Sequence, residues 1–284
     1  SNMGGVIKRN ARLESNLKRI KENIFKIISH LQNELKQSEF RPINFEFNIN
    51  EKGIANLTGD NGIEIVIRGV IDRVDIYESN GEKYIRVIDY KTGKKIFSMS
   101  SLLYGINLQM LLYMFTITGS GGAYSDCNPA GVLYMPSGEI VCGRDRDESD
   151  NMEEYLNKHY KMNGVVLNDR AVLNAMEKDI QGIYIPAKLL KGDTGDGELL
   201  LNKRSSSCLT SSQFKKLRQH TEKIIIDVCN ELYSGNIDAD PLVISGGSPC
   251  DYCDYWSVCG NVPCEKYREA DKNAEEKMLK IISD

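Results

Sequence analysis

A two-residue turn, Asn80-Gly81, constrains the fold of this chain more than any other sequence feature. Asn-Gly is a preferred pair for the tight turn of a β-hairpin, because both residues accept the positive φ angles that the turn needs. The turn also sets the register of the flanking strands, so Ser79 faces Glu82. When the residues are counted outward from the turn, the facing side chains are opposite charges or similar apolar groups. The pairs are Glu78 with Lys83, Tyr77 with Tyr84, Ile76 with Ile85, Asp75 with Arg86, and Val74 with Val87. Such pairs stabilise antiparallel strands, which we therefore predict at about 63–77 and 83–91.

The same register places Asp72 directly opposite Asp89. Facing Cβ atoms lie roughly 4.5–5.5 Å apart, so the two carboxylates would repel each other unless a cation lay between them. Carboxylate oxygens suit Mg²⁺ or Mn²⁺. Lys91 lies two residues beyond Asp89 and points to the same face, where it could orient a metal-bound water or stabilise developing negative charge. The alternative is a surface hairpin whose acidic side chains are merely solvated.

Hydrophobic periodicity divides the rest of the chain into helices and strands. Apolar residues at helical spacing predict an amphipathic helix over 11–37, and the alternation of Ile43, Phe45 and Phe47 predicts a strand. The pattern further predicts a strand at about 130–135, a C-terminal helix, and helices at about 98–116, 147–160, 169–179 and 210–233. This order indicates an α/β fold with a mixed sheet, in which residues 136–205 are either an insertion or an extension.

Composition limits the classes of protein to which the chain can belong. Its 284 residues are 41% hydrophobic and 27% charged, which is ordinary for a globular protein. No window contains the roughly 18 uncharged apolar residues of a membrane span, so we expect a cytoplasmic protein without membrane contact. The net charge of −4 argues against a chain coated with basic residues, although a local groove can still attract nucleic acid. Because Ser1-Asn2 resembles the remnant of a cleaved tag, we expect a piece of a longer protein.

Four of the eight cysteines fall close together, at Cys250, Cys253, Cys259 and Cys264. In a chain without a signal-peptide pattern, such a cluster indicates a metal site more often than disulfide bonds. Spacing alone fits either a tetrahedral Zn²⁺ or three ligands of a [4Fe–4S] cluster, and zinc is the simpler choice.

The hairpin and the helix that follows it resemble the RecB-type branch of the PD-(D/E)XK nucleases. Three motifs occur in the order of that family, namely Gly69-Val70-Ile71-Asp72, Asp89-Tyr90-Lys91 and Gln109-x-x-x-Tyr113. The C-x₂-C-x₅-C segment at 250–259 is similar to the iron–sulfur segment of AddB-type helicase–nuclease subunits. The stretches Tyr184-Ile185-Pro186-Ala187 and Gly235-Asn236-Ile237 are also similar to those subunits.

The resemblance implies a PD-(D/E)XK core, with a central mixed β-sheet flanked by helices, over residues 1–240. A cysteine-cluster segment and a C-terminal helix at 241–284 would pack on the same domain. The implied activity is that of a metal-dependent exodeoxyribonuclease that processes double-strand DNA breaks for recombinational repair in bacteria. Its implied partners are DNA and an AddA-type helicase/nuclease subunit.

The resemblance also implies a role for each residue of the site. Asp72 and Asp89 would hold Mg²⁺ or Mn²⁺, and Lys91 would be the catalytic lysine. Gln109 and Tyr113 would line the DNA side of the site. The implied ligands of a [4Fe–4S] cluster are Cys250, Cys253 and Cys259, with Cys264 either a substitute fourth ligand or not a ligand.

Two departures from the family pattern leave other functions open. The family's upstream helix supplies a histidine within G-x-x-x-H, but Lys26 stands in the glycine's place before His30, so we expect His30 to be an ordinary core or surface residue. The family's first cluster cysteine lies far upstream, whereas no cysteine precedes Cys127 here. The alternatives are therefore a catalytically weak or inactive DNA-binding or subunit-interaction fragment, and a stand-alone RecB-like nuclease.

Overall fold

The computed structural model of the chain describes residues 11–49, 57–60, 62–93, 96–139, 152–192, 199–244, 247–259 and 267–283. The helices are α1 (Ala11–Gln37), α2 (Met99–Leu102), α3 (Gln109–Thr118), α4 (Met152–Tyr160), α5 (Arg170–Met176), α6 (Ser211–Tyr233) and α7 (Ala274–Ser283). The strands are β1 (Arg41–Asn48), β2 (Leu57–Thr58), β3 (Glu64–Ile65), β4 (Val70–Ser79), β5 (Glu82–Lys91), β6 (Cys127–Pro136), β7 (Asn163–Leu167), β8 (Cys208–Leu209), β9 (Leu242–Val243) and β10 (Arg268–Glu269). The described residues belong to two compact units, one within 1–47, 71–97 and 127–209, and the other within 48–70, 98–126 and 210–284.

A mixed β-sheet organises the first unit. Among the described residues it has six strands in the order β1-β4-β5-β6-β7-β8. The β4–β5 and β6–β7 pairs are antiparallel, whereas β5–β6 and β7–β8 are parallel. Helices α1 and α4 contact each other, α4 contacts β6, and α5 contacts β7. This mixed α/β architecture confirms the predicted fold class, and the PD-(D/E)XK core is consistent with it. Strand β7, which lies within the 136–205 stretch, pairs with β6 and so extends the sheet.

The predicted hairpin register is confirmed pair by pair. Asn80 and Gly81 adopt φ angles of 52° and 82°, the left-handed values that the turn requires. From the turn outward, the facing pairs run without a shift from Ser79–Glu82 to Arg73–Ile88. The turn and the complementary side chains therefore specify the same register.

Two predicted elements are interrupted. One is divided where the strand pairs with a different neighbouring strand, and the other where the backbone takes positive φ angles. The strand predicted over 63–77 is divided, because β3 pairs with β2 in a separate two-stranded sheet and β4 begins only at Val70. The helix predicted over 98–116 is also divided, since Gly105 and Asn107 have φ angles of 75° and 66°. Those angles are incompatible with a right-handed helix, so α2 and α3 are separate. Residues 147–151 of the helix predicted over 147–160 lie outside the described residues.

Strand β1 forms where predicted, but its side chains do not alternate regularly between core and solvent. Phe47 is buried, whereas Phe45 is 66% exposed. Glu46 has a φ angle of 47°, which interrupts the extended backbone between the two phenylalanines. The simple two-residue period therefore fails at this point of β1.

The second unit is held together mainly by helices. Helix α6 contacts α3 and α7, and α7 contacts α2. Thr210 caps α6, because its Oγ1 accepts the N–H of Gln213 at 3.2 Å and the Gln213 Oε1 accepts the N–H of Thr210 at 2.9 Å. No helix among the described residues is long and apolar enough to cross a bilayer.

Candidate active site

The two predicted metal-binding aspartates occupy neighbouring positions on paired strands. The ladder of facing residues ends at Arg73–Ile88, and Asp72 and Asp89 are the next residues on β4 and β5. Because side chains alternate along a strand, both aspartates belong to the face of the hairpin that carries Val74. We call this face, with Asp72, Asp89 and Lys91, the acidic face.

The carboxylate of Asp72 is held by the backbone of the partner strand. Its Oδ2 accepts the N–H of Tyr90 at 2.8 Å. The side chain thus takes the place of a backbone acceptor just beyond the last facing pair. A carboxylate has several lone pairs, so this bond leaves Asp72 able to bind a cation as well.

Lys91 and Asp89 form an ion pair at the end of β5. The Lys91 Nζ lies 2.6 Å from Oδ2 of Asp89. The Asp89 side chain is 7% exposed, whereas that of Lys91 is 33% exposed. The Lys91 carbonyl also accepts the N–H of Ser137 at 2.8 Å, which fixes the backbone that carries the ammonium group. A buried carboxylate and a more accessible ammonium therefore lie side by side.

Tyr134 is a further residue of this face, and the sequence did not indicate it. It faces Asp89 across the parallel β5–β6 pair and is almost fully buried. Burial raises the pKa of the Tyr134 hydroxyl to about 12, and the negative charge of Asp89 adds to the increase. The phenol therefore stays protonated at neutral pH. Only the pairing of β5 with β6, which joins residues distant in sequence, reveals this neighbour.

The donor set of the acidic face suits a hard divalent cation. Among the described residues, no group of three or more His, Cys, Asp and Glu side chains is arranged to hold a metal ion. Mg²⁺, however, is commonly held by one or two carboxylates, while water and substrate phosphate oxygens complete its coordination. Asp72 and Asp89 therefore fit a metal whose remaining ligands are not protein side chains.

The opposite face of the hairpin carries a buried network of four charged side chains. Arg73 donates to both Asp75 oxygens, at 2.7 and 2.6 Å, and to Glu34 of α1 at 3.2 Å. Arg86 donates to Asp75 at 2.9 Å and to Glu34 at 2.5 Å. All four side chains are at most 2% exposed. The predicted Asp75–Arg86 pair is confirmed, and two positive charges balance two negative ones.

This network also connects α1 to the strand that bears the site. Arg73 donates from Nη1 to the Tyr90 hydroxyl at 3.4 Å, and the backbone N–H of Tyr90 is the donor to Asp72. Tyr90 therefore links the buried charges on one face to the first aspartate on the other. Glu34, which joins α1 to both arginines, was not identified from the sequence because its partners are about 40 residues away or more.

Gln109 and Tyr113 lie together in the second unit. They are four residues apart on α3, and Gln109 Nε2 donates to the Tyr113 hydroxyl at 3.1 Å. Gln109 is exposed, whereas Tyr113 is buried. A Cβ added at Gly69 would lie 2.1 Å from the Tyr113 hydroxyl oxygen, so only glycine fits beside this ring. Gly69, the glycine of the first motif, is therefore needed to leave room for the ring of Tyr113, the tyrosine of the third motif.

His30 is a core residue, as predicted from the missing glycine of the family pattern. Its ring centroid lies 5.4 Å from that of Tyr160 and 5.1 Å from that of Tyr184. Burial lowers the pKa of His30, although the charge of Glu34 and a hydrogen bond with Asn157 act in the opposite direction. The imidazole thus serves packing in the first unit.

The cysteine segment is a series of tight turns in the second unit. Ser248 caps a short 3₁₀ helix at Pro249–Tyr252, and the Cys250 N–H donates to its Oγ at 3.1 Å. The Cys253 N–H donates to the Cys250 carbonyl at 3.3 Å. Within the described part of this segment, no three cysteines gather into a metal-binding group, and Cys264 lies outside the described residues. The ligand set of a cluster stays a prediction.

Comparison with known proteins places the chain in a family. The sequence pattern of the PD-(D/E)XK nuclease superfamily matches residues 8–260. Similar proteins include three that are named as B-type subunits of an ATP-dependent helicase/deoxyribonuclease. The protein of Clostridioides difficile (strain 630) is 30% identical over 93% of this chain. The protein of Clostridium acetobutylicum is 31% identical over 94% of it, and that of Clostridium botulinum (strain Hall) is 33% identical over 95%. The chain spans only about a quarter of each relative, 24%, 23% and 24% respectively. Because the superfamily pattern covers most of its length, this chain belongs to the PD-(D/E)XK nuclease superfamily.

Proposed function

We propose that this chain is the metal-dependent exodeoxyribonuclease domain of an AddB-type helicase–nuclease subunit. It would process double-strand DNA breaks for recombinational repair in the bacterial cytoplasm, beside an AddA-type subunit. The observation that carries the proposal is the acidic face, where Asp72 and Asp89 are adjacent on paired strands and the Lys91 ammonium lies 2.6 Å from Asp89. The names of the similar proteins, which combine helicase and deoxyribonuclease, support the choice of DNA as substrate.

The chemistry assigned to each residue follows from its charge and surroundings. Asp72 and Asp89 would hold Mg²⁺ or Mn²⁺. When bound, such an ion polarises a phosphate oxygen and lowers the pKa of a coordinated water. Lys91 contributes a fixed positive charge beside Asp89, where it can stabilise the additional negative charge of the transition state. The hydrogen bond from the Tyr90 N–H orients Asp72.

The activity is tested by replacing Asp89 with asparagine, which has nearly the same shape but no negative charge. With Mg²⁺ present, we expect Asp89→Asn to lower the rate of nucleotide release from linear DNA by about a hundredfold or more, since a metal supplies several kcal/mol of charge stabilisation. The matched control is Glu78→Gln, an exposed acid on β4 at the other end of the hairpin, which should keep the wild-type rate.

Two outcomes would contradict the proposal. If the wild-type chain releases nucleotides no faster than Asp89→Asn, the chain has no nuclease activity of its own. If covalently closed circular DNA is degraded as fast as linear DNA, the enzyme does not need an end and is not an exonuclease. Thermal unfolding of each variant establishes that the substitutions leave the fold intact.

We also propose that Gln109 and Tyr113 line the DNA side of the site and that Cys250, Cys253 and Cys259 are ligands of a [4Fe–4S] cluster. The C-x₂-C-x₅-C spacing supports the cluster. After anaerobic incubation with iron and sulfide, wild type should acquire bound iron and visible absorbance, and Cys253→Ser should acquire less. Cys229→Ser, on α6 outside the segment, is the control. Equal iron in the two serine variants would contradict this ligand assignment, and tight binding of zinc without iron would favour a zinc site.

A further inference from the structure

A cavity of about 720 Å³ lies within the first unit, beside the acidic face. Lys91 and Tyr134, which contact or face Asp89, form part of its wall. The cavity therefore adjoins Lys91, the proposed catalytic lysine. Its volume falls within the roughly 300–1,000 Å³ that is usual for pockets that bind small molecules or parts of larger ones.

Helix α4 supplies part of the wall of this cavity. Tyr155, Lys158 and His159 all line it, and their spacing of three and four residues places them on one side of the helix. Lys161, one residue beyond the end of α4, also lines it. The helix thus presents an aromatic ring, an imidazole and positive charge to the same space.

The charges of the cavity favour an anion. Neither Lys158 nor Lys161 has an ion-pair partner among the described residues. The one carboxylate that lines the described wall, Glu139, is already in contact with Arg19. Two ammonium groups are therefore available to a negatively charged ligand.

A half-buried lysine and a buried imidazole nitrogen support the same conclusion. Burial lowers the pKa of Lys161, so its charged form lacks full solvation and would gain from a bound anion. The charge of Glu177 acts in the opposite direction, but the two side chains form no ion pair, and the Glu177 oxygens accept the N–H groups of Ile183, Tyr184 and Ile185 at 2.8–3.0 Å. His159 Nε2 is buried without a hydrogen-bond partner in the described structure.

We infer that this cavity binds a nucleotide of single-stranded DNA next to the phosphate that is cut, with Lys158 and Lys161 on its phosphates and Tyr155 stacked on its base. The inference rests on the proposed function, because the bound strand is the one presented to Lys91. Proteins that bind single strands without sequence preference combine a basic groove with aromatic rings. Bases within a duplex are already stacked on each other, so a ring in a cavity can stack only on an unpaired base.

The test measures binding without cleavage. The probe is a fluorescent oligothymidine, and its anisotropy is followed in EDTA at several salt concentrations. Lys158→Gln together with Lys161→Gln should weaken binding about tenfold at low salt. The double variant should also reduce the slope of log affinity against log salt by about 1.4, since each phosphate contact on a single strand contributes about 0.7. Lys36→Gln, an exposed lysine on α1 that does not line the cavity, is the control.

Tyr155 provides a second and independent measurement. Tyr155→Leu should weaken binding roughly tenfold without changing the salt slope, because stacking is not electrostatic, whereas Tyr155→Phe should bind like wild type.

Lys158 is exposed, so Lys158→Gln alone tests the proposal even if Lys161→Gln does not fold. Unchanged affinity and slope in Lys158→Gln, or an equal loss of blunt duplex binding in Tyr155→Leu, would overturn the inference.

The outcomes separate this inference from the proposed nuclease. If the cavity variants bind and cleave like wild type while Asp89→Asn is inactive, the cavity assignment is wrong and the nuclease stands. If the cavity variants lose binding as predicted but wild type cleaves nothing, the binding of single-stranded DNA in the cavity stands and the nuclease does not.

Discussion

Oδ2 of Asp72 accepts the backbone N–H of Tyr90 at 2.8 Å, so a side chain continues the hairpin just beyond its last facing pair. The same carboxylate is proposed to hold a metal. Asp72 thus combines a structural contact, which requires only an oxygen acceptor, with a chemical task, which requires negative charge. The two can be separated experimentally.

Asp72→Asn and Asp72→Ala should have different consequences. Asparagine keeps an oxygen that can accept the Tyr90 N–H, so we expect nearly wild-type stability but at least about a hundredfold less DNA degradation. Alanine removes the acceptor, and we expect an additional loss of about 1 kcal/mol in the free energy of unfolding. Urea unfolding and nuclease assays on both variants provide the measurement. An active Asp72→Asn would exclude Asp72 as a metal ligand.

Two glutamates of α1 should differ sharply in their contribution to stability. Glu34 is buried against Arg73 and Arg86, whereas Glu22 lies 4.0 Å from Lys18 on the surface. Glu34→Gln leaves two buried arginines with a single carboxylate, and we expect a loss of about 3–5 kcal/mol in the free energy of unfolding. Glu22→Gln should cost less than about 0.5 kcal/mol. Chemical denaturation compares them, and similar losses would show that the buried network is not important for stability.

Gly69 and Gly93 form a second matched pair. The Cβ of an alanine at Gly69 would lie 2.1 Å from the Tyr113 hydroxyl oxygen, whereas nothing lies within 4 Å of one at Gly93. Gly69→Ala should therefore destabilise the protein by about 1–3 kcal/mol, and Gly93→Ala should not. Thermal unfolding measures both effects. Recovery of stability in Gly69→Ala with Tyr113→Ala would identify the ring as the cause, and failure to recover would contradict that explanation.

His30 should make stability depend on pH below neutrality. Burial holds its folded-state pKa below the unfolded value of about 6.5, so below that pH the unfolded chain binds a proton that the folded chain does not. This contribution to stability is complete above pH 6.5 and is lost as the pH falls toward the folded-state pKa. His30→Phe keeps a ring beside Tyr160 and removes the proton.

The measurement is urea unfolding of wild type and His30→Phe between pH 5 and pH 8. Stability should fall less steeply in the variant than in wild type below about pH 6.5, and the two curves should be parallel above it. Parallel curves over the whole range would mean that His30 has the same pKa in the folded and unfolded chains.

Much of the hairpin was predictable because its determinants are local. Asn80-Gly81 sets the register, and the next residues on each strand agree with it, so the positions of Asp72 and Asp89 followed by counting. The start of α6 was predictable for the same reason, since the residues that cap it, Thr210 and Gln213, lie within one turn.

What could not be predicted depends on contacts between distant parts of the chain. Tyr134 faces Asp89 only because β6 pairs with β5, and Glu34 meets Arg73 only because α1 packs on the sheet. The break before α3 follows from positive φ angles at Gly105 and Asn107, and a Cβ at Gly105 would approach Ile224 Cγ2 to 2.9 Å. Helical periodicity alone carries no information about such a distant neighbour.

The buried ion pairs and the proposed catalytic residues lie on opposite faces of the hairpin, and this separation has an evolutionary consequence. The ion pairs that secure α1 involve Arg73, Asp75 and Arg86, and none of them includes Asp89. A descendant in which Asp72 and Asp89 became asparagine would keep the buried charges and an acceptor for the Tyr90 N–H, so it would fold as robustly as its ancestor. Selection for a well-folded domain would therefore not preserve catalysis, and decayed copies would be recognised by their missing carboxylates rather than by their instability.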